Sequence, residues 1–257
     1  MWRVFSASAT GQRNVDQGVA GQDASHCQVN GDVLVAVVCD GAGSVAQGRA
    51  GANFIAHSLA EQLSRTLDDD RDLLDRQAAG SGGLEAVVRD AIESTRGRLA
   101  GLAASSESAL DDYACTLVGC VASPVGGCLF HIGDGFAIVQ GAVGEEPVLS
   151  RPENGEYADE TYFVTDENWK EHLRLTPLGA PGRGCVIGLM SDGTAPFAVD
   201  RARSGFFRPF IDPIAAYLRE AATSNGNEAL RNLLESPRAS AISSDDKTLL
   251  LAFVAER

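Results

Sequence analysis

Apolar positions in this chain follow two kinds of pattern. Val33-Leu34-Val35-Ala36-Val37-Val38-Cys39 and Cys185-Val186-Ile187-Gly188-Leu189-Met190-Ser191 are runs almost free of polar side chains. They predict strands covered on both faces. Each stops at Asp-Gly, Asp40-Gly41 and Asp192-Gly193, where glycine lets the backbone turn tightly beside the carboxylate. Elsewhere the spacing is helical: Ala52, Ile55, Leu59 and Leu63 share one face after the loop Gly41-Ala42-Gly43-Ser44. A polar stretch, Gly80-Ser81-Gly82-Gly83, separates them from a second helix bearing Leu84, Val87, Val88, Ala91, Ile92 and Leu99. Residues 113–121 and 127–132 predict strands joined through Ser123-Pro124-Val125-Gly126 as a hairpin. A strand over Phe136-Ala137-Ile138-Val139, a helix pair over 211–234 and a closing strand over 248–254 complete the pattern. Hairpin connections and consecutive helices indicate an α+β layered fold rather than a regular βαβ alternation.

The 257 residues are treated as a single domain, 1–257, because no linker forces a split. No apolar run approaches the roughly 20 residues of a membrane span. The segment Met1-Trp2-Arg3-Val4-Phe5-Ser6 lacks the long apolar core of a secretory signal, so the expected location is cytoplasmic, without membrane partners. A formal net charge of −14 argues against nucleic acid as a partner, since binders of phosphate backbones cluster Lys and Arg. Asp68-Asp69-Asp70 reads as a solvated acidic run. The six cysteines, Cys27, Cys39, Cys115, Cys120, Cys128 and Cys185, form no C-x-x-C pair and read as reduced, buried, small apolar residues. His57, on the first helix, reads as an exposed or satisfied side chain rather than a ligand.

Two more acidic turns, Gly133-Asp134-Gly135 and Asp245-Asp246-Lys247-Thr248, adjoin strand-like runs. One Asp-Gly alone is an ordinary turn. Four acidic turns beside strongly apolar strands suggest a shared site. Bare carboxylates held ~4 Å apart repel by roughly 4 kcal/mol at an effective dielectric of ~20, so such a cluster takes up protons or hard cations. All-oxygen ligands favour Mg²⁺ or Mn²⁺.

The series Gln22-Asp23-Ala24, Val38-Cys39-Asp40-Gly41-Ala42-Gly43-Ser44, Cys115-Thr116-Leu117, Ile132-Gly133-Asp134-Gly135, Met190-Ser191-Asp192-Gly193 and Asp245-Asp246-Lys247-Thr248 resembles the metal-dependent serine/threonine protein phosphatases of the 2C type. The order matches, the likeness extends over nearly the whole chain, and the chain resembles a smaller bacterial branch with Gln-Asp in place of the usual acidic pair. It implies two stacked antiparallel sheets flanked by helix pairs. It also implies a phosphorylated protein substrate, an opposing serine/threonine kinase, and two Mn²⁺ or Mg²⁺ ions. By resemblance Asp40 bridges the ions, the Gly41 carbonyl serves one, Asp192 and Asp245 hold the other, and Asp23 belongs to the same cluster. Asp245, three residues before Thr248, matches the family ligand better than Asp246. Ions in such a pair lower the pKa of a water that attacks phosphorus in line, so no cysteine nucleophile is required.

Three positions depart from the family pattern. Gly18 stands where many members carry a phosphate-binding Arg. Arg13 is either its substitute or an ordinary surface arginine. Ala42 stands where some members carry a His that acts as general acid, leaving bound water or another side chain to protonate the leaving group. Pro196 replaces an acidic residue that helps hold a third metal with the counterpart of Asp134, so a third ion there would be held weakly. The segment from Gly155 to Thr165, containing Glu160, Thr161, Tyr162 and Phe163, matches a variable flap that either shapes substrate access or only anchors a loop. The resemblance therefore predicts hydrolysis of phosphoserine and phosphothreonine. The alternatives are a catalytically degenerate phosphoprotein-binding regulatory module and a small-molecule phosphomonoesterase.

Overall fold

In a computed structural model, which describes residues 2–141, 145–153, 161–182 and 184–254, the chain forms two five-stranded antiparallel sheets stacked face to face. The order begins β1 (Trp2–Ala9), α1 (Gln12–Asp16), β2 (Ala24–Asn30), β3 (Val33–Cys39), α2 (Gly48–Asp69), α3 (Leu73–Ala78) and α4 (Leu84–Ser105). After a 3₁₀ turn at Leu110–Tyr113 come β4 (Leu117–Ser123), β5 (Gly126–Ile132), β6 (Phe136–Gln140), β7 (Val148–Ser150), α5 (Trp169–His172), β8 (Arg174–Leu178) and β9 (Val186–Met190). The chain continues through α6 (Ala195–Ala198), α7 (Arg208–Glu220), α8 (Thr223–Leu234), α9 (Pro237–Ile242) and β10 (Lys247–Val254). One sheet runs β1-β10-β9-β6-β7 and the other β2-β3-β4-β5-β8.

The uninterrupted apolar strands have a direct cause: both of their faces are covered. On β3, Leu34, Ala36 and Val38 point into the layer between the sheets, while Val35, Val37 and Cys39 pack under α2 and α4. On β10, Leu250 and Ala252 enter the inter-sheet layer, and Leu249, Leu251 and Phe253 pack under α7 and α8. The side-chain period of two therefore divides each strand between two cores.

The expected strand over 113–121 begins later than its apolar pattern suggested. Tyr113 closes the 3₁₀ turn, and Cys115 makes a single bridge to Gly41 before β4 starts at Leu117. That bridge pins the chain beside the Asp40 turn in place of a continuous ladder. The expected hairpin is present as a two-residue turn, Pro124-Val125, with Ser123 opposite Gly126. The predicted helix pair over 211–234 is α7 and α8, extended by α9. All six cysteines are free, and all but the half-buried Cys27 are buried. His57 is exposed and stacks on His26 with ring centroids 3.6 Å apart.

Candidate active site

Antiparallel register brings the acidic turns together. Asp23 precedes β2 and Asp40 follows β3, and because Ala24 lies opposite Cys39 the two carboxyls share one end of their sheet. In the other sheet Met190, at the end of β9, pairs with Leu249 and Phe136, which gathers Asp192, Asp245 and Asp134 at a corresponding end. Ser191 joins the two: its hydroxyl donates to Asp23 Oδ2 (2.7 Å) and accepts from the Thr248 N–H (2.9 Å). The result is a cleft of about 410 Å³ whose lining includes Arg13, Gln22, Asp40, Gly41, Asp134 and Asp245.

Backbone contacts fix these turns. The Asp40 N–H donates to Thr116 Oγ1 (3.0 Å), and the Thr116 N–H returns a bond to the Asp40 carbonyl (2.9 Å). The Gly41 N–H donates to the Gln22 carbonyl (3.3 Å). A Cβ on Gly41 would stand 2.4 Å from the Gly48 carbonyl, and one on Gly193 would stand 2.0 Å from the Asp246 carbonyl oxygen. Glycine at both places lets neighbouring backbone approach closer than any side chain permits.

The electrostatics are those of crowded acids. Burial raises Asp40 well above the ordinary carboxyl value, and the negative charges of Asp23, Asp192 and Asp134 raise it further. Burial lifts Asp23 to about 7 against the opposing hydrogen bond from Ser191. Asp192 rises to about 6 through burial and the charges of Asp134 and Asp245, and Asp134 is raised mainly by burial. Such shifts in a cleft mark a site that gains from added positive charge. Cys39 is unsuited to act as a nucleophile: burial and the adjacent Cys115 thiol push its pKa well up, so it stays a thiol at neutral pH.

The donor set fits hard cations. Among the described residues, Oδ1 of Asp23, of Asp134 and of Asp192 are each buried without a hydrogen-bond partner, an arrangement that costs free energy unless something electropositive meets them. Among the same residues no three acidic, His or Cys side chains already close into a cage. Instead Arg13 lies 3.4 Å from Asp245 Oδ2, and burial with mutual repulsion favours the protonated forms of Asp40 and Asp23. Protons and a guanidinium thus hold the carboxyls. The oxygen chemistry and the orphaned atoms, rather than a preformed cage, are the grounds for the fit.

Asp245 and Asp246 face different tasks. Both line the cleft, but Asp245 is partly open to solvent. Asp246 is buried, and both its oxygens are taken by N–H donors: Gly11 N on Oδ1 (2.6 Å), and Asn14 Nδ2 (2.9 Å) and Gln22 N (2.6 Å) on Oδ2. Gly18 has φ +68, and a Cβ added there would meet nothing within 4 Å; it stands outside the cleft lining, whereas Arg13 is part of it. Sequence reasoning passed over Ser191 and Lys247 as individual site residues. Lys247 is almost wholly buried and donates from Nζ to the Asp245 carbonyl (2.7 Å). A lysine and a serine inside two of the acidic turns were the available signals, but nothing in the sequence says that their side chains fold back onto those turns.

Gly155, Glu156, Tyr157, Ala158, Asp159 and Glu160 lie outside the described residues. The segment that follows is firmly held: Val164 N–H donates to the Cys115 carbonyl (2.9 Å), and Arg96 donates to the carbonyls of Val164, Thr165 and Asp166. Thr161 and Phe163 line the cleft, while Tyr162 stacks on His172. Cleft lining and anchoring therefore alternate along 161–163.

A family model described as Protein phosphatase 2C matches residues 10–235, a stretch that ends before Asp245. The chain is 31% identical over 264 residues to the serine/threonine-protein phosphatase 3 of Escherichia coli (strain K12), covering 99% of each protein. Among solved structures it resembles the catalytic domain of the serine threonine protein phosphatase PstP in complex with two manganese ions (TM-score 0.64, 18% identity, 99% of each chain). A bacterial serine phosphatase gives a TM-score of 0.64 at 18% identity, over 100% of this chain and 98% of the other. At such identities the two structures bear on the fold alone, and they share its paired antiparallel sheets.

Proposed function

Belonging to the protein phosphatase 2C family makes this chain a metal-dependent serine/threonine protein phosphatase, and on that premise we propose a division of labour among its residues. Residues 1–257 act as one phosphatase domain. The observation that carries the site is the set of buried, partnerless oxygens on Asp23, Asp134 and Asp192 around a raised Asp40.

Asp40, Asp192, Asp245 and the Gly41 carbonyl would hold two divalent cations, Mn²⁺ or Mg²⁺, with Asp23 completing the cluster. When bound, such ions supply Lewis-acid charge for the phosphoryl oxygens and lower the pKa of an attacking water. Asp134 would hold a third ion only weakly, because Pro196 offers no side-chain oxygen beside it. Thr116 and Ser191 keep Asp40 and Asp23 oriented through the bonds described above. Arg13 would bind the substrate phosphate. Its present pairing with Asp245 joins a 61% exposed guanidinium to a 37% exposed carboxylate, and an exposed pair of this kind is worth about 1 kcal/mol or less. It therefore exchanges easily for a bidentate grip on phosphate. No histidine is among the described lining residues, so the leaving alkoxide would take its proton from water.

A phosphorylated protein is the substrate class, and a serine/threonine kinase that writes the same phosphate is the implied opposing partner. We place both in the cytoplasm; no helix among the described residues is long and apolar enough to cross a membrane. The degenerate-module reading rested on Gly18 and Ala42, and the retained carboxyl set weighs against it.

The test is Asp40→Asn, which removes one charge at nearly constant shape. Lewis-acid stabilisation is worth several kcal/mol, so release of phosphate from a phosphothreonine peptide in Mn²⁺ is expected to fall about a thousandfold. Far-UV circular dichroism checks that the fold survives. Ordinary turnover by a folded variant would rule out the bridging role of Asp40.

A further inference from the structure

α1 is a helix with nothing apolar to hold it. It is five residues long, none of them buried, and a helix this short has no stability of its own in water. Yet it carries Arg13 to the cleft. What fixes it is polar and comes from one place, the turn Ser244-Asp245-Asp246. The Arg13 N–H donates to the Ser244 carbonyl (3.1 Å). Gly11, at the head of the helix, approaches so closely that a Cβ there would stand 2.2 Å from the Asp245 carbonyl carbon. The Asp246 carboxyl then takes the Gly11 N–H, the Asn14 side-chain amide and the Gln22 N–H, the last being next to Asp23.

We infer that Asp246 is a positioning residue that sets Arg13 for the substrate phosphate, by clasping both ends of the segment between Gly11 and Gln22 to the turn that carries Asp245. The inference rests on the reading of Arg13 as the phosphate-binding residue. Its chemical requirement is specific. All three neighbours of the Asp246 carboxyl are N–H donors, so both oxygens must accept. An asparagine in that place has one oxygen and one amide nitrogen, and in either orientation it sets N–H against N–H. The substitution is nearly isosteric, yet the clasp cannot be rebuilt with it. Its loss leaves α1, which has no buried side chain, held only by the Arg13 N–H to Ser244 bond and the Gly11 approach.

A double-mutant cycle on the full chain tests this, with a phosphothreonine peptide as substrate at saturating Mn²⁺. Asp246→Asn is expected to raise KM about tenfold, the cost of one hydrogen bond to a charged group, with a smaller change in kcat. In an Arg13→Ala background the same substitution is expected to change KM by less than about twofold, because no guanidinium is left to misplace. Asn14→Ala, at a half-buried site, removes one of the three bonds. It is expected to raise KM about threefold, which keeps the test open should Asp246→Asn fold poorly. A merely structural role would produce effects that multiply independently of Arg13. That result, or an unchanged KM in both Asp246→Asn and Asn14→Ala while Arg13→Ala raises it, overturns the positioning role alone. An unchanged KM in Arg13→Ala overturns the phosphate-binding reading and this inference with it.

Discussion

His131 is fully buried on β5, with Nδ1 2.9 Å from the Ser150 hydroxyl of β7, so it links the two sheets through their shared layer. Nε2 has no partner among the described residues. Burial, with the nearby Arg174 charge, holds its pKa well below the ordinary 6.5. The sign follows from linkage: the unfolded chain gains a proton below about pH 6.5 that the folded chain refuses, so this contribution is present above that pH and lost as pH falls. The raised carboxyls of the cleft pull in the opposite direction. The informative quantity is therefore a difference. In EDTA, the unfolding free energy of the native protein from urea titration should drop more steeply from about pH 7 to pH 5 than that of His131→Gln, by up to about 1.4 kcal/mol per pH unit. Parallel slopes would mean that the folded protein admits the proton after all.

Elements in this protein end where their carboxylates are needed, and glycine governs how closely those ends meet. At the turn after β9, Gly193 sits under the Asp246 carbonyl with no room for a methyl group, and the same turn carries Asp192. Gly193→Ala must push the turns before β10 and after β9 apart. The expected cost is about 1–3 kcal/mol of stability from overpacking, together with weaker Mn²⁺ binding as Asp192 and Asp245 separate. Urea unfolding and a Mn²⁺ titration followed by electron paramagnetic resonance check the two effects. A stability loss with unchanged Mn²⁺ affinity would show that this contact packs the turn without setting the spacing of its carboxylates. The start of β4 shows a related effect at the element scale. Residues 113–116 have strand-like side chains, but their backbone groups bond to Asp40, Ala42 and Val164 rather than to a ladder.

At the scale of the whole molecule, the acidic set belongs to both sheets. Asp23 and Asp40 come from one and Asp192 and Asp245 from the other, with Asp134 on the turn that passes between them. Without cations these groups oppose the stacking that the apolar layer between the sheets favours. Divalent ions should therefore act as a staple. At about 100 times its dissociation constant, Mn²⁺ is expected to add about 2.7 kcal/mol to unfolding and to raise the calorimetric Tm over that in EDTA. An identical Tm in both conditions would mean that the native state takes up no ion the unfolded chain lacks.

The strands whose apolar runs end in Asp-Gly are legible from the chain alone, because long apolar runs need cover on both faces. The amino-acid pattern also marks the amphipathic helices by their spacing, and the candidate carboxylates by their place at the ends of those runs. It did not reveal β1, β2, β7 or β8, whose mixed side chains make sense only beside the partners they pair with. Nor did it separate Asp245 from Asp246 by anything but motif position. Two adjacent identical side chains differ only in what surrounds them: one is partly open to solvent at the cleft, and the other is buried against three N–H donors from residues more than 200 positions away. Those contacts exist only once β1 has paired with β10 and carried Gly11 and α1 to the acidic turn. Local pattern specifies which groups are available, and long-range register decides which of them face the site and which hold it in place.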